Sequence, residues 1–259
     1  MRFKVGMQPA LTQISFTQKL LIFNIYLGAC SMKKTIVLTT AMAAVLTSGV
    51  ASAELSANAA ITSNYIWRGI TQTMDESAGQ GGIDWGHDSG LYVGTWVSNV
   101  AFGADNADNG YEMDVYAGFA GEAGALGYDI GVISYQYPIT PEFNFTEAYI
   151  SATYNVVTVG VATTVDAASG NTGGIFDEGD MYVNGSIDFT AGKSDVSVYA
   201  GSYMFDNDGA PGVGEVDYTH FGASVGKDGF TFAVDKNDIE GGSADNVRFT
   251  ASYAIDFKL

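Results

Sequence analysis

The sequence has little of what disulfide-linked and metal-binding proteins need. Its 259 residues include one cysteine, Cys30, and two histidines, His87 and His220. One cysteine leaves no internal disulfide and, if the N-terminal region is removed, no thiolate metal site. We therefore expect neither a metal nor another cofactor.

Basic residues are also scarce. The chain has 11 Lys and Arg against 29 Asp and Glu, with a formal net charge of −18. Five of the bases lie in residues 1–53, which leaves six bases and 29 acids in the remainder. A chain this acidic does not bind nucleic acid through its phosphates, and it attracts cations.

After the N-terminal region the sequence has no long apolar run, so that part of the chain has no membrane-spanning helix. The chain is instead rich in glycine and aromatic residues, with 33 Gly, 15 Tyr and 15 Phe. This composition favours an all-β protein with many turns.

Residues 32–53 have the parts of a secretory signal peptide: two lysines, an apolar core and the small-residue cleavage site ASA. Cleavage between Ala53 and Glu54 predicts a mature domain of residues 54–259. Met32 then looks like the start, and residues 1–31 look like an upstream mis-start. A second interpretation is a lipoprotein signal, in which Cys30 is lipidated.

The last thirteen residues, Val247–Leu259, alternate between apolar and polar or small side chains. This period of two predicts a strand with one apolar face, long enough to cross a membrane when tilted. An unpaired apolar strand at the end of the chain would promote aggregation. Pairing with the first strand in a closed barrel removes that edge.

The same alternation predicts eleven further strands, so we expect a transmembrane antiparallel up-and-down β-barrel of about 12 strands. The fifth strand changes its alternation near Ile133, which predicts a bulge there. The strands are predicted at 54–68, 77–85, 90–101, 110–120, 126–137, 144–154, 156–165, 179–190, 195–204, 216–226, 229–236 and 246–259.

The connections between these strands alternate between long and short, as the extracellular loops and periplasmic turns of outer-membrane barrels do. A periplasmic β-sandwich predicts the same strands without this alternation. We therefore predict the bacterial outer membrane as the location, with membrane lipid and the barrel assembly machinery as partners. Aromatic residues at strand ends predict interfacial girdles; they are Tyr65, Trp67, Trp85, Tyr137, Tyr154 and Phe257.

The opposite, polar parity of the strands predicts the lining of a pore. By this parity the bases Arg68, Arg248 and Lys258 point inward, and Arg68 and Arg248 lie on the first and last strands, which closure makes neighbours. Nine acids cannot all pair with three bases, so the remaining charge requires water or cations. The polar inward residues are Asp84, Glu112, Asp114, Asp129, Glu147, Asp180, Asp188, His220, Asp235 and Asp256.

Two other kinds of site are weaker. The loops at 105–110 and 206–209 resemble the start of a calcium loop, but Ala107 and Ala210 stand where a ligand is needed. A lipid-cleaving enzyme needs a serine within hydrogen-bond reach of a histidine. His220 and Ser224 share a strand face about 13 Å apart, so we expect no catalytic residue.

The segment SNYIWRGITQT, Ser63–Thr73, resembles the opening motif of the TorF-type (Gcw_chp) porins, a proteobacterial family of outer-membrane proteins of uncharacterised role. The resemblance implies a porin without naming its solute, and it supplies no catalytic residue. The chain departs from the usual barrel ending, because it closes on Leu259 instead of Phe. The matching positions are Ser63, Tyr65, Trp67, Arg68, Gly69, Thr71 and Gln72.

Together these observations predict a narrow porin-like barrel that passes small solutes by diffusion and prefers cations. Twelve strands lie between the filled interior of eight and the aqueous channel of sixteen or more. The alternative is a plugged structural or adhesive barrel that acts through its acidic loops. A lipid-modifying barrel enzyme is disfavoured.

Overall fold

The computed structural model describes residues 54–102, 109–168, 176–209, 214–240 and 246–259. The predicted mis-start, signal peptide and Cys30 lipidation, and the loop at 105–108, lie outside these residues. No helix in the described ranges is long and apolar enough to span a membrane.

Twelve antiparallel strands form a closed barrel, which confirms the predicted fold, and two short strands form a separate hairpin. The hairpin consists of β2 (Ile66–Trp67) and β3 (Ile70–Thr71). The barrel strands are β1 (Glu54–Thr62), β4 (Ala78–Gly86), β5 (Leu91–Ala101), β6 (Asn109–Ala123), β7 (Leu126–Gln136), β8 (Phe145–Tyr154), β9 (Val157–Ala167), β10 (Met181–Ala191), β11 (Ser194–Met204), β12 (Tyr218–Lys227), β13 (Phe230–Asn237) and β14 (Arg248–Lys258).

Closure occurs between the first and last strands, as the alternation of the terminal segment predicts. The register of β1 and β14 runs from the pair Ser56 and Lys258 to the pair Thr62 and Ser252. Each barrel strand therefore has two neighbours. A sheet closed in this way satisfies its backbone hydrogen bonds inside hydrocarbon without leaving an edge.

The outer surface of the barrel is apolar. Along β1, Leu55 and Ile61 are exposed while Asn58 faces inward, and the other strands repeat this alternation. Trp85, Tyr154 and Phe257 lie on this outer face near strand ends, where interfacial aromatic residues occur. This surface matches a lipid environment.

Short turns and long connections alternate around the barrel, as predicted. One short turn is the pair Asp228-Gly229, where both residues have positive φ. The strand bounds place every short turn at one end of the barrel and every long connection at the other. In outer-membrane barrels the long connections face the cell exterior. We call this end the mouth.

The predictions that Tyr65, Trp67 and Tyr137 are girdle residues are wrong for one reason. β1 ends at Thr62, not at residue 68, so Tyr65 and Trp67 are not girdle residues. Tyr65 and Tyr137 are buried in a cluster of side chains inside the barrel, and Trp67 packs against it. The aromatic residues at these positions fill the lumen instead of meeting lipid.

The predicted bulge near Ile133 is also absent, because β7 pairs with both neighbours in unbroken register. The irregularity lies instead in β8, between Thr146 and Glu147. Ile133 and Tyr135 are buried on the inward face of β7. The change in hydrophobic parity therefore marks the point where the lumen wall itself becomes apolar.

Tyrosine side chains lie flat on glycines of neighbouring strands along the lumen wall. A Cβ atom at any of these glycines would collide with the tyrosine ring, so the close approach requires glycine. This packing accounts for five of the 33 glycines and five of the 15 tyrosines. The pairs are Tyr92 on Gly118, Tyr116 on Gly94, Tyr149 on Gly131, Tyr182 on Gly201 and Tyr199 on Gly222.

Candidate functional site: a hairpin inside the lumen

The motif segment forms a hairpin that folds inward. We call residues Tyr65–Gln72 the plug hairpin. Its strands pair Ile66 with Thr71 and Trp67 with Ile70, and Arg68 and Gly69 form the turn. Their φ angles are 48° and 81°, the two positive values of a type I′ turn. This turn closes a two-residue hairpin with the twist that strands prefer.

The tip of the hairpin reaches the wall formed by β12 and β13. The Asn237 side-chain amide donates to the Gly69 carbonyl at 2.8 Å. A Cβ atom at Gly69 would collide with the side chain of His220. The tip therefore needs glycine both for its backbone conformation and for its contact with the wall.

Aromatic side chains pack around the hairpin. The Trp67 ring lies 5.8 Å from Tyr135, 6.2 Å from Phe145, and 6.0 Å from both Phe176 and Tyr203, measured between centroids. Phe145 and Tyr203 are 1% and 0% exposed. This packing fills the lumen around the hairpin with aromatic side chains.

Arg68 makes the strongest polar contact of the hairpin. Its guanidinium donates two parallel hydrogen bonds to Glu147, Nη1 to Oε1 at 2.7 Å and Nη2 to Oε2 at 2.6 Å. The guanidinium carbon lies 4.0 Å from the ring centroid of Tyr182 and 5.1 Å from that of Tyr203. The Arg68 and Glu147 side chains are only 8% and 2% exposed. The prediction that Arg68 lies beside Arg248 on the barrel wall is wrong, because the chain leaves the wall after Ser63.

Two further predicted acids, Glu112 and Asp114, are buried behind the hairpin. The Tyr65 hydroxyl donates to Glu112 Oε1 at 2.8 Å. Asp114 Oδ1 is buried and makes no hydrogen bond to any residue within the described ranges. Carboxylates in such a place need a proton, bound water or a cation, because a buried charge is costly without a partner.

The base of the hairpin is tied to the barrel by a polar network. Arg248 Nε donates to Asp75 Oδ1 at 2.7 Å, and Asn64 Nδ2 donates to the same oxygen at 2.7 Å. Thr71 Oγ1 donates to Asn64 Oδ1, also at 2.7 Å. Arg248 is thus placed at the mouth, where it holds the chain that enters the lumen.

Two other motif residues join the hairpin to the wall through backbone atoms. The amide of Ala251 donates to Ser63 Oγ, and Ser63 N donates to the Ala251 carbonyl. Gln72 N donates to the Tyr65 carbonyl, and the Gln72 carbonyl accepts from Ala101 N. Every position of the predicted motif therefore lies in the hairpin or in its attachment.

Below the hairpin the lumen wall carries four of the predicted acids. Asp129 accepts from the Tyr92 hydroxyl at 2.6 Å, and Asp84 accepts from the Tyr116 hydroxyl. Asp188 and Asp256 lie nearer the short turns and are exposed.

The remaining predicted lumen residues lie at other heights. Asp235 is nearer the mouth, accepts from Tyr199 at 2.7 Å and pairs in register with Arg248. The inward base Lys258 lies at the rim and bonds to Glu54 at 2.7 Å.

Asp180 lies in a connection at the mouth and not in a strand, which differs from the predicted strand at 179–190. Its carboxylate accepts from the backbone N–H groups of Asp177 at 3.0 Å and Asp206 at 2.8 Å. Asp208 accepts from the N–H groups of Val216 and Asp217, and these bonds lower the pKa of Asp208. These acids organise loop backbone, and no metal-binding group of three or more His, Cys, Asp or Glu occurs in the described ranges.

His220 is buried against the wall. Its Nε2 lies 2.7 Å from the Tyr182 hydroxyl, and the two rings stack. His220 Nδ1 and Ser224 Oγ make no hydrogen bond to any residue in the described part of the chain, so the two are not joined as a catalytic pair.

The hairpin is what sequence reasoning missed. Alternation continues from residue 54 to 68, and a hairpin of two-residue strands has almost no periodic signal of its own. Two signals could have found it: the Arg-Gly pair as a two-residue turn, and apolar residues such as Ile133 and Phe145 on the inward parity of strands that face it. Both become meaningful only when considered together.

Comparison with known proteins places this fold in a family. The profile of the family described as "Bacterial protein of unknown function (Gcw_chp)" matches residues 47–258. The chain belongs to the Gcw_chp family. No curated protein matches it. The match includes the plug hairpin and all twelve strands of the Gcw_chp barrel.

Solved structures that resemble the Gcw_chp barrel are membrane proteins of low identity. A chain from a study of the in-meso crystallization of membrane proteins is 10% identical with a TM-score of 0.51, over 79% of this chain and 83% of that chain. The NanC porin is 11% identical with a TM-score of 0.47, over 78% and 97%. The Salmonella typhi outer membrane phospholipase dimer with bound calcium is 12% identical with a TM-score of 0.42, over 78% and 89%. The first of these supports the barrel fold alone.

Gly69→Ala should loosen the plug hairpin by more than about 1 kcal/mol, because alanine is strained at positive φ and its methyl group would also collide with His220. Gly192→Ala is the matched control, since Gly192 has a φ of 69° with no atom near its Cβ position. The measurement is the rate of proteolysis within the hairpin in the folded protein. Equal rates in the two variants would show that the wall contact contributes nothing.

Proposed function

We propose that the Gcw_chp barrel is a porin-like channel of the bacterial outer membrane that passes small solutes by diffusion and prefers cations. The observation that supports this best is the lower lumen, where Asp84, Asp129, Asp188 and Asp256 line the wall. Within the described strands the one inward base at this level is Lys258, which Glu54 pairs at the rim.

The electrostatics of this wall favour cations for a general reason. A narrow passage between low-dielectric walls concentrates the field of its charged groups, which raises the local concentration of the opposite ion. Near the mouth, Arg68 is neutralised by Glu147, so the charge of the lumen is set mainly by the acids nearer the short turns. The net field along the lumen is therefore negative.

The plug hairpin sets the condition for passage. It lies across the mouth end of the barrel, so a solute passes only when the hairpin moves. The hairpin and barrel meet through aromatic packing, the Arg68–Glu147 pair and the tether at Asp75. We infer a channel that is closed for most of the time and opens as the hairpin shifts.

A second candidate function rests on the same hairpin. If it never moves, the protein is a plugged structural or adhesive barrel that acts through its acidic loops. The absence of catalytic activity and the TorF-type porin assignment stay predictions of the sequence. So do the assembly machinery as a partner and the lipid around the apolar outer face.

Cation preference is tested by the zero-current potential across a salt gradient in a planar bilayer. The intact protein should show the cation-selective sign. Asp188→Asn with Asp256→Asn should lower the potential, because both exposed carboxylates line the lumen near the short turns. Asp228→Asn is the control, since Asp228 lies in the turn between β12 and β13 at the same end of the barrel, beside Lys227, and not on the lumen wall.

Raising the salt should weaken the selectivity, because the Debye length falls from about 10 Å at 0.1 M to about 3 Å at 1 M. An anion-selective sign at low salt would reject the proposed preference. A complete lack of current from the intact protein, together with current from a barrel whose hairpin is replaced, would favour the plugged structural barrel.

A further inference from the structure

The partners of the Arg68 guanidinium come mostly from the barrel wall. Glu147 lies on β8, Tyr182 on β10 and Tyr203 on β11, whereas the hairpin supplies only Arg68 itself and the neighbouring Trp67. We call Glu147, Tyr182 and Tyr203 the wall site. Because its three residues are held by strands, the wall site does not depend on the hairpin for its geometry.

The chemistry of the wall site fits a planar cation with several donors. A carboxylate that accepts two parallel bonds selects a guanidinium over an ammonium, which is a point charge. Two tyrosine faces at 4.0 and 5.1 Å add cation–π attraction, which is strongest when the cation is desolvated. Glu147 is 1% exposed, so the pairing takes place away from bulk water.

Unpartnered polar atoms on the same wall support this assignment. The hydroxyls of Tyr203 and Tyr218 and Nδ1 of His220 are buried and make no hydrogen bond to a residue within the described ranges. Buried polar groups in native proteins almost always have a partner. A guanidinium has five N–H donors, of which Arg68 uses two on Glu147. The wall therefore offers acceptors beyond those that Arg68 takes.

We propose that the wall site binds the guanidinium group of small solutes, and that Arg68 is a built-in occupant with which they compete. A solute that enters the lower lumen replaces Arg68 on Glu147, and the hairpin loses its main polar contact with the wall. Binding and opening are thereby linked. Binding at the wall site stands on the geometry, while the coupling to passage rests on the proposed channel function.

Arg68→Ala tests the binding step without any assay of transport. This variant leaves Glu147 buried without its cation, while the hydrogen bonds of the twelve barrel strands remain. The readout is the temperature at which the folded barrel is lost on an unheated SDS gel. We expect that temperature to fall in the variant and to recover in a saturable way with methylguanidinium chloride.

Methylammonium chloride at the same concentrations is the matched probe, since it has the charge without the planar fork. Its half-saturating concentration should be at least about tenfold higher, given the bidentate bonds and ring contacts that it cannot make. Adding Glu147→Gln to the variant should abolish the recovery. Equal recovery with both salts, or recovery that survives Glu147→Gln, would overturn the proposal.

Arg68→Lys is the second variant, in case the alanine variant does not fold. Lysine retains the charge but cannot make the two parallel bonds to Glu147. Methylguanidinium should therefore displace this lysine more readily than methylguanidinium displaces Arg68 in the intact protein. In planar bilayers, methylguanidinium should then raise the open probability of the lysine variant at a lower concentration than that of the intact protein. No difference between these two proteins would count against the competition with Arg68.

The two sets of measurements separate the inference from the proposed function. Recovery of Arg68→Ala without any current in bilayers would establish the wall site and reject the channel. Cation current that is indifferent to methylguanidinium, together with no recovery, would support the channel and reject the wall site.

Discussion

Replacing the plug hairpin with a short Gly-Ser linker should raise the conductance of the barrel several-fold. The two strands of the hairpin, β2 and β3, form a sheet separate from the barrel, so its removal leaves the closed sheet intact while it clears the mouth end of the lumen. Side chains just fill the interior of an eight-stranded barrel, and a twelve-stranded barrel is wider. Side chains alone therefore do not fill its lumen. The measurement is single-channel recording in planar bilayers, with the intact protein recorded under identical conditions.

Two controls accompany this variant. The replaced barrel should still migrate differently before and after boiling in SDS, because closed strand pairing resists detergent in the cold. Trp67→Ala should give an intermediate increase in conductance, since Trp67 packs within the lumen, whereas Trp85→Ala on the outer face should have no effect. A folded barrel whose conductance equals that of the intact protein would show that the hairpin does not close the lumen.

Removal of Glu147 should cost about 3–5 kcal/mol of stability, because it leaves the buried Arg68 without a counter-charge. The Glu147→Ala variant should therefore unfold at a much lower urea concentration. The double variant Arg68→Ala with Glu147→Ala should be more stable than the single variant, because it buries no unpaired charge. The measurement is urea unfolding in lipid vesicles, followed by tryptophan fluorescence.

The exposed pair at the opposite rim is the matched comparison. Lys258 and Glu54 lie 2.7 Å apart with side chains 85% and 45% exposed. Their removal should cost less than about 1 kcal/mol, because solvent screens an exposed ion pair. A Glu147→Ala cost as small as that of Glu54→Ala would contradict the buried character of the Arg68–Glu147 contact.

The barrel could be predicted from sequence because each of its strands alternates with the same period. Lipid selects apolar side chains on one face, so Leu55, Ile61 and Phe249 identify the outward parity without knowledge of the rest of the fold. Closure of the barrel could be predicted because the apolar terminal strand needs a partner for its backbone hydrogen bonds. The alternating loop lengths then placed the two ends.

The contents of the lumen could not be predicted in the same way. Inward positions near the mouth are apolar or aromatic because they face the hairpin, so Ile133 looked like a shift of parity and Tyr137 like a girdle residue. Arg68 continues the polar parity of β1, but the chain leaves the wall after β1, and the positive φ angles at Arg68 and Gly69 close the hairpin inside the lumen. Its pairing with Glu147, 79 positions away in the sequence, depends on barrel register, which the sequence does not specify.

The acids of the lower lumen could be placed by parity alone; Asp84 and Asp129 accept from lumen tyrosines, and Asp84 also accepts from Asn58. Near the mouth, parity identified the acids but not their partners. Glu112 accepts from a hairpin tyrosine and Glu147 from a hairpin arginine, and neither contact follows from strand alternation.

Liposome swelling tests the central claim most directly, that small solutes diffuse through a lumen which the plug hairpin closes. Liposomes with the intact protein and with the hairpin-replaced barrel would be diluted into solutes of matched size that carry an ammonium group, no charge or a carboxylate. Swelling should be faster with the replaced barrel for every solute, and fastest with the ammonium solute. Liposomes with the replaced barrel that swell no faster than protein-free liposomes would contradict the account.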